Sequence, residues 1–287
     1  MMKRSLLAAY FSATMFVGIF PVSGDAAQDL PKRIVSLAPS MTEELYLLGA
    51  DSCLVGCTTY CVTPPEARNK EKVGAITTLD MEKIVALKPD LVLATSLTNP
   101  KAIQKLEDLK IEVKVFSAPK DFTSLCTQFL ELGRAVGRER QAQEIIATAK
   151  GKVDAIKART SGLNKPNVFI EIGARPLFTA NRDYFINDFV EMAGGTNIAS
   201  DAKIGVYSRE EVVRRGADVI LIVTMGIAGE KEEETWRTFT TLKAVKEKRI
   251  HIIDSRKICS PTPVTFVETL EEITALLHPE LSKRGYE

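Results

Sequence analysis

Apolar residues in this chain gather into short, nearly continuous runs separated by stretches with helical spacing. The runs fall at 34–38, 54–58, 91–95 and 113–117 in the first half, and at 168–172, 219–224 and 250–254 in the second. Consecutive apolar positions suit strands covered on both faces, and intervening helical stretches such as 79–87 supply the crossovers of a parallel sheet. The pattern therefore predicts an α/β architecture occurring twice.

Between the two sets lies 138–160, where Ala142, Ile145, Ile146, Ala149, Val153 and Ile156 form one helical stripe without an internal proline. Some 20 residues of helix run about 30 Å, the length of a small lobe. Ser161-Gly162 and Lys165-Pro166 then stop it. The expected organisation is a leader over 1–27, an N-terminal α/β lobe over 31–137, a connecting helix over 138–161 and a C-terminal α/β lobe over 166–287. That describes two Rossmann-like lobes with parallel-rich sheets, one long interdomain helix and a ligand cleft between the lobes. An ordinary crossover helix within one sheet is the alternative reading of the same stripe.

An internal repeat supports related halves. Residues 82–93 match 210–221 at a constant offset of 128, each copy reading as Glu at a helix start, two β-branched residues, a turn, Asp and a buried strand. Glu82 and Glu210 are then equivalent, and two symmetric carboxylates suit docking to a pseudo-symmetric basic partner.

Composition adds compartment and size. Lys3 and Arg4, the apolar run 6–20 and the small residues of 21–27 read as a cleavable export signal, with cleavage after Gly24 or Ala26. A retained anchor is the alternative, and no cysteine near that point favours a lipid anchor. Of 38 basic and 37 acidic residues, two and one precede the later cleavage point, which leaves 36 of each. So balanced a chain gives no footprint for nucleic acid or an anionic membrane. The roughly 260 remaining residues exceed what one core organises.

Taken in order, the residues resemble a family. The segments are Arg33-Ile34-Val35-Ser36-Leu37-Ala38-Pro39-Ser40-Met41-Thr42-Glu43, Val55-Gly56-Cys57-Thr58-Thr59-Tyr60-Cys61 with Pro64-Pro65-Glu66, and Val73-Gly74. Residues 82–93, Gly194-Gly195-Thr196-Asn197, 242–254 and Leu277-His278-Pro279-Glu280 complete them. From about 33 to 280 the chain resembles the helical-backbone periplasmic substrate-binding proteins of corrinoid, ferric-siderophore and haem ABC importers, most closely the cobalamin-binding kind.

The resemblance implies a monomeric periplasmic carrier with no cofactor of its own, whose ligand brings the metal as a cobalt corrinoid or an iron chelate. Permease subunits in the inner membrane are the implied partner. It places a cleft wall at Ala38, Pro39 and Ser40, a strand end where Thr42 can cap the next helix. It makes Tyr60 and Phe178 ligand-packing aromatics, the latter in a loop over 175–180. It gives Glu82 and Glu210 to permease arginines. Ile76 and Thr95 stand where the cobalamin binder carries tryptophans. The loop at 255–261 offers Arg256 and Lys257 where that relative is more aromatic and acidic, which raises an anionic ligand, a ferric siderophore or haem.

The five cysteines admit other chemistry. Cys53, Cys57 and Cys61 are regularly spaced, but residues four apart along a strand lie roughly 13 Å from each other, too far to share a metal. An oxidising compartment instead suggests one or two disulfides and a free thiol among Cys53, Cys57, Cys61, Cys126 and Cys259, with connectivity open. Cys61 and Cys259 fall in loops expected to face the cleft from opposite lobes, as ligand contacts or axial sulfur donors. An exported α/β enzyme is the competing class. Against it, only His251 and His278 are present, and no phosphate loop, zinc-helix motif or nucleophile elbow appears. Two histidines are also too few for a bare metal-ion receptor.

Overall fold

The computed structural model describes residues 30–223 and 229–283, with the side chains of Ser282 and Lys283 left aside. The leader expected over 1–27 lies outside the described residues, as does the tail from 284 onward. The first lobe contains β1 (Ile34–Ser36), α1 (Pro39–Leu47), β2 (Leu54–Cys57), β3 (Glu71–Lys72), β4 (Gly74–Ala75), β5 (Thr78–Leu79) and α2 (Met81–Ala86). β6 (Leu91–Thr95), α3 (Pro100–Asp108), β7 (Glu112–Phe116) and α4 (Phe122–Ala135) complete it, and α5 (Glu139–Thr160) follows. The second lobe contains β8 (Asn167–Ala174), β9 (Leu177–Thr179), α6 (Ile186–Met192), β10 (Thr196–Asn197), α7 (Arg209–Arg215) and β11 (Val219–Val223). After β11 come α8 (Gly229–Arg237), α9 (Lys243–Lys246), β12 (Ile250–Ile253), α10 (Ser255–Cys259) and α11 (Pro263–Leu277).

Each lobe is built on a parallel sheet, in the order β3-β2-β1-β6-β7 in the first and β10-β8-β11-β12 in the second. The two-lobed α/β class read from the apolar runs is the class observed. One difference concerns the second lobe's first strand, which extends to Ala174 and turns back through β9, antiparallel to β8. Phe178 therefore sits in a strand paired with Gly173, not in a loop.

Alternation along the strands divides each sheet into two faces. Ile34, Leu91 and Leu93 of the first sheet share one apolar cluster with Val168, Ile170, Val219 and Leu221 of the second, through Phe129 of α4, Ile146 and Val153 of α5, and Phe266 of α11. The opposite faces keep separate cores. Val35, Val92 and Ala94 pack with Ile84 and Leu106 in one lobe, and Phe169, Ile220 and Ile222 pack with Val212 and Trp236 in the other. Phe266 occupies the joint, its ring stacked 4.5 Å from Phe122 of α4 and 4.3 Å from Phe189 of α6.

The repeat is visible in the backbone. α7 begins, and β11 begins and ends, 128 residues after the matching points of α2 and β6. Asp80 and Ser208 cap the two helices by accepting the Lys83 and Glu211 amides. Lys88 adopts φ +46° where the second copy has Gly216 at +66°. Asp90 accepts the Lys32 and Arg33 amides at 2.7 and 3.0 Å, and Asp218 accepts the Asn167 amide at 2.7 Å. Each lobe's central strand is thus anchored at its start by the same aspartate of the repeat.

Two outcomes follow from this packing. Phe266→Ala is expected to cost about 3–5 kcal/mol, because it empties a fully buried ring site that the surroundings cannot refill; urea unfolding of both proteins measures it. Lys88→Gly is expected to stabilise by about 1 kcal/mol in the same assay, since the left-handed backbone there penalises any Cβ.

Candidate ligand and docking site

All strands of both sheets except β9 run in parallel, so their carboxyl ends line one edge of each lobe. At that edge of the first lobe β1 passes through Leu37 and the buried Ala38 into α1, with Pro39 exposed and Ser40 half-buried. No side chain caps α1. The expected cap, Thr42, instead turns inward, 2.9 Å from the Ser36 hydroxyl and 3.1 Å from the Cys61 sulfur, because its apolar neighbours Met41 and Leu45 draw that helix face into the core.

Tyr60 rides the turn after β2, which the Cys61 amide closes onto the Thr58 carbonyl at 3.1 Å. Its side chain is 67 % exposed. The Thr59 amide bonds to the Gly74 carbonyl, tying this turn to the β4–β5 hairpin whose tip carries the half-buried Ile76. Thr95 ends β6 half-buried, and its hydroxyl accepts the Leu97 amide at 3.3 Å. Leu97 is 78 % exposed. It belongs with Tyr60 on the same strand-end edge, and the sequence reading passed over it because a lone leucine between polar residues carries no periodicity.

Cys61 is the main departure on this side: it is buried beneath Tyr60 instead of facing outward. The thiol satisfies its polarity on the Thr42 and Thr58 hydroxyls, each 3.1 Å away. Among the described residues all five cysteines are free thiols, in place of the disulfides expected, and no group of three or more metal-ligating side chains is present.

In the second lobe Phe178 is held by two glycines. A Cβ on Gly173 would stand 3.0 Å from the Phe178 Cβ, and one on Gly205 would stand 3.2 Å from its ring. Ile204 and Val206 beside it are exposed, a further apolar pair that the sequence reading missed. Arg256, Lys257 and the half-buried Cys259 fall on the short helix α10, not in an open loop, with Asp254 as its cap. Burial pushes the Cys259 thiol up to about 11. Neither cation is bare: Arg256 pairs with Asp254 at 2.6 Å and Lys257 with Glu272 at 2.7 Å.

The lobes meet around a depression of about 300 Å³, with Glu43 and Thr63 from the first and Asp254, Arg256, Lys257 and Glu268 from the second. A larger depression of about 750 Å³ lies at the opposite edge, between Thr160 and Thr196, away from the strand carboxyl ends. Two buried acids were also invisible to periodicity. Burial, reinforced by Glu43, lifts Glu44 to about 8. Burial likewise raises Glu171, whose carboxylate takes the Trp236 N–H, next to the Arg209–Glu232 ion pair.

Glu82 and Glu210 are the second residues of α2 and α7, both exposed, and neither joins an ion pair among the described residues. Their neighbour Glu211, by contrast, is clamped by Arg214 and Arg215.

Comparison with known proteins gives consistent relatives. The family described as periplasmic binding protein matches residues 34–257. The chain is 30% identical over 279 residues to the uncharacterized ABC transporter substrate-binding lipoprotein YvrC of Bacillus subtilis, covering 92% of this chain and 88% of that protein. It is 31% identical over 202 residues to the vitamin B12-binding protein of Pectobacterium carotovorum, covering 69% and 73%. Among solved structures, a possible iron-binding (periplasmic solute-binding) protein from Staphylococcus epidermidis matches with a TM-score of 0.79 at 28% identity, over 86% of this chain and 99% of that one.

The buried Glu44 gives a pH prediction. Its carboxyl keeps a proton in the folded state up to about pH 8, whereas the unfolded chain releases it near 4.5. Its contribution to stability therefore falls as pH rises between those values, by up to about 1.4 kcal/mol per pH unit. Glu44→Gln is expected to flatten that part of the slope, read from urea midpoints across pH 4.5 to 8; an unchanged slope assigns the effect elsewhere.

Proposed function

Since the chain belongs to the periplasmic binding protein family, whose members here are transport proteins and not enzymes, we propose that it captures a corrinoid of the cobalamin type between its lobes and delivers it to an ABC permease. The observation that carries the reading is the apolar strand-end edge: Tyr60 and Leu97 exposed on the first lobe, Phe178 fixed between glycines on the second. A large, flat ligand with few charges is held by such surfaces through area, with a few polar anchors. Ala38, Pro39, Ser40, Ile76 and Thr95 border the same edge, and Arg256, Lys257 and Cys259 approach it from the second lobe. Cys61 acts from below, by shaping the turn that presents Tyr60.

Electrostatics favours the corrinoid over an anionic chelate. Around the inter-lobe depression Glu43, Asp254, Glu268 and Glu272 outnumber Arg256 and Lys257, and both cations are already paired. A haem or ferric siderophore has to displace those carboxylates to use them. The iron-chelate alternative is supported by the Staphylococcus relative, and it requires Asp254 and Glu272 to swing away.

Delivery rests on Glu82 and Glu210, exposed carboxylates at matched positions of the repeat that meet permease arginines in the inner membrane; complementary charge sets orientation and encounter rate. The leader of 1–27 directs the chain to the periplasm as a soluble monomer carrying one ligand.

Titration of the purified protein with cobalamin, haem and a ferric siderophore, followed by absorbance and calorimetry, tests the ligand. Saturable one-to-one binding of cobalamin is expected, and binding of haem or siderophore alone overturns the corrinoid reading. Tyr60→Ala is expected to weaken cobalamin about tenfold, roughly 1.4 kcal/mol. The double change Glu82→Arg and Glu210→Arg is expected to leave that affinity intact while abolishing uptake by cells; undiminished uptake refutes the docking role.

A further inference from the structure

Beneath the Tyr60 turn the chain builds a small chamber around two sulfurs. Cys57 ends β2 and Cys61 closes the turn that follows; both are fully buried, and they lie close enough that each shifts the other's thiol, Cys61 down and Cys57 up. The Lys72 ammonium reaches into the same chamber, donating to the Cys57 sulfur at 3.2 Å, the Cys61 carbonyl at 2.9 Å and the Ala67 carbonyl at 2.8 Å. It has no carboxylate partner among the described residues, and it stands where charge develops on Cys57 when that thiol gives up its proton in the second step. The Thr42 and Thr58 hydroxyls stand 3.1 Å from the Cys61 sulfur.

We propose that Cys57 and Cys61 form a reversible redox pair, oxidised to an intramolecular disulfide by exchange with a small or protein disulfide. The neighbouring Cys57, with the Thr42 and Thr58 hydroxyls, lowers the Cys61 thiol and makes it the attacking group; Cys57 is raised by Cys61 and by burial, and stays a thiol until the second step. The Cys61 thiolate attacks one sulfur of the reagent, forming a mixed disulfide and expelling the first thiolate. Cys57 then gives up its proton and attacks the Cys61 sulfur, expelling the second. Two thiol hydrogens leave the protein with the two reduced thiols, and the reagent takes up the two electrons. Because both sulfurs are buried, exchange is slow and needs the turn carrying Tyr60 to open locally to the reagent, with the Thr58 hydroxyl of that same turn still beside the Cys61 sulfur. Closure staples the turn that carries Tyr60. Cys126 and Cys259 do not compete: burial pushes each thiol up to about 11.

Trypsin releases residues 34–68 as one fragment holding Cys53, Cys57 and Cys61. The full-length protein is equilibrated with oxidised or reduced glutathione near neutral pH, denatured, alkylated, digested and weighed. Under oxidised glutathione the fragment is expected to carry one alkyl group, on Cys53, and to have lost two hydrogens between Cys57 and Cys61, with Cys126 and Cys259 alkylated. Under reduced glutathione it is expected to carry three alkyl groups. Three alkyl groups in both buffers, a bond involving Cys53, or a lasting glutathione adduct on Cys61 overturns the proposal. In Cys57→Ser protein, Cys61 is expected to retain one glutathione, and an unmodified Cys61 there overturns its role as the attacking thiol.

Discussion

One apolar layer decides what the rest of the molecule can do. The inner faces of both sheets drain into a single cluster through α4, α5 and α11, and Phe266 is where helices from either side touch. The Phe122 amide adds a 2.8 Å bond to Asp188 across the same joint. Swinging the lobes apart means exposing that layer, at about 25 cal/mol for every Å² of apolar surface wetted. A helix standing alone as a rod would flex at its ends; α5, embedded between α4 and α11, cannot do so without unpacking them. The strand-end edges are therefore set at nearly fixed separation, and a ligand meets a preformed surface.

Fixing the lobes also forces polar groups together where they meet. Burial and the nearby Glu268 raise Glu43, while Glu44 is buried one residue further along α1. Keeping Glu44 protonated avoids placing uncompensated charge in the joint, which is the cheaper of the two options for a carboxyl removed from water. The same logic explains why Arg256 and Lys257 are paired: cations on a rim already facing acids find those acids first.

What was legible in the sequence was whatever local chemistry dictates. The central strands announce themselves because each is covered on two faces, and the repeat survives because its residues do backbone work. Asp90 and Asp218 anchor strand starts, while Lys88 and Gly216 occupy the same left-handed turn. What was not legible depended on partners distant in the chain. Arg175-Pro176 reads as a loop, yet it turns β8 into β9 and puts Phe178 against Gly173. Cys61 reads as an exposed loop thiol until Thr42 and Lys72 are brought to it. Lys257 reads as a free cation until Glu272, on α11, closes on it.

The direction of the helices links capture to delivery. In each lobe the repeat helix runs against its strands, so α2 and α7 start at the strand carboxyl ends and finish at the left-handed turns that feed β6 and β11. Glu82 and Glu210 therefore stand at the same edge as Tyr60 and Phe178, while their helices pack on the outer faces through Ile84 and Val212. Under the proposed function, a partner that engages both carboxylates at once must span the groove between them. Docking then covers the mouth through which the ligand entered, and the shared inner layer keeps the two carboxylates at the spacing that the partner requires.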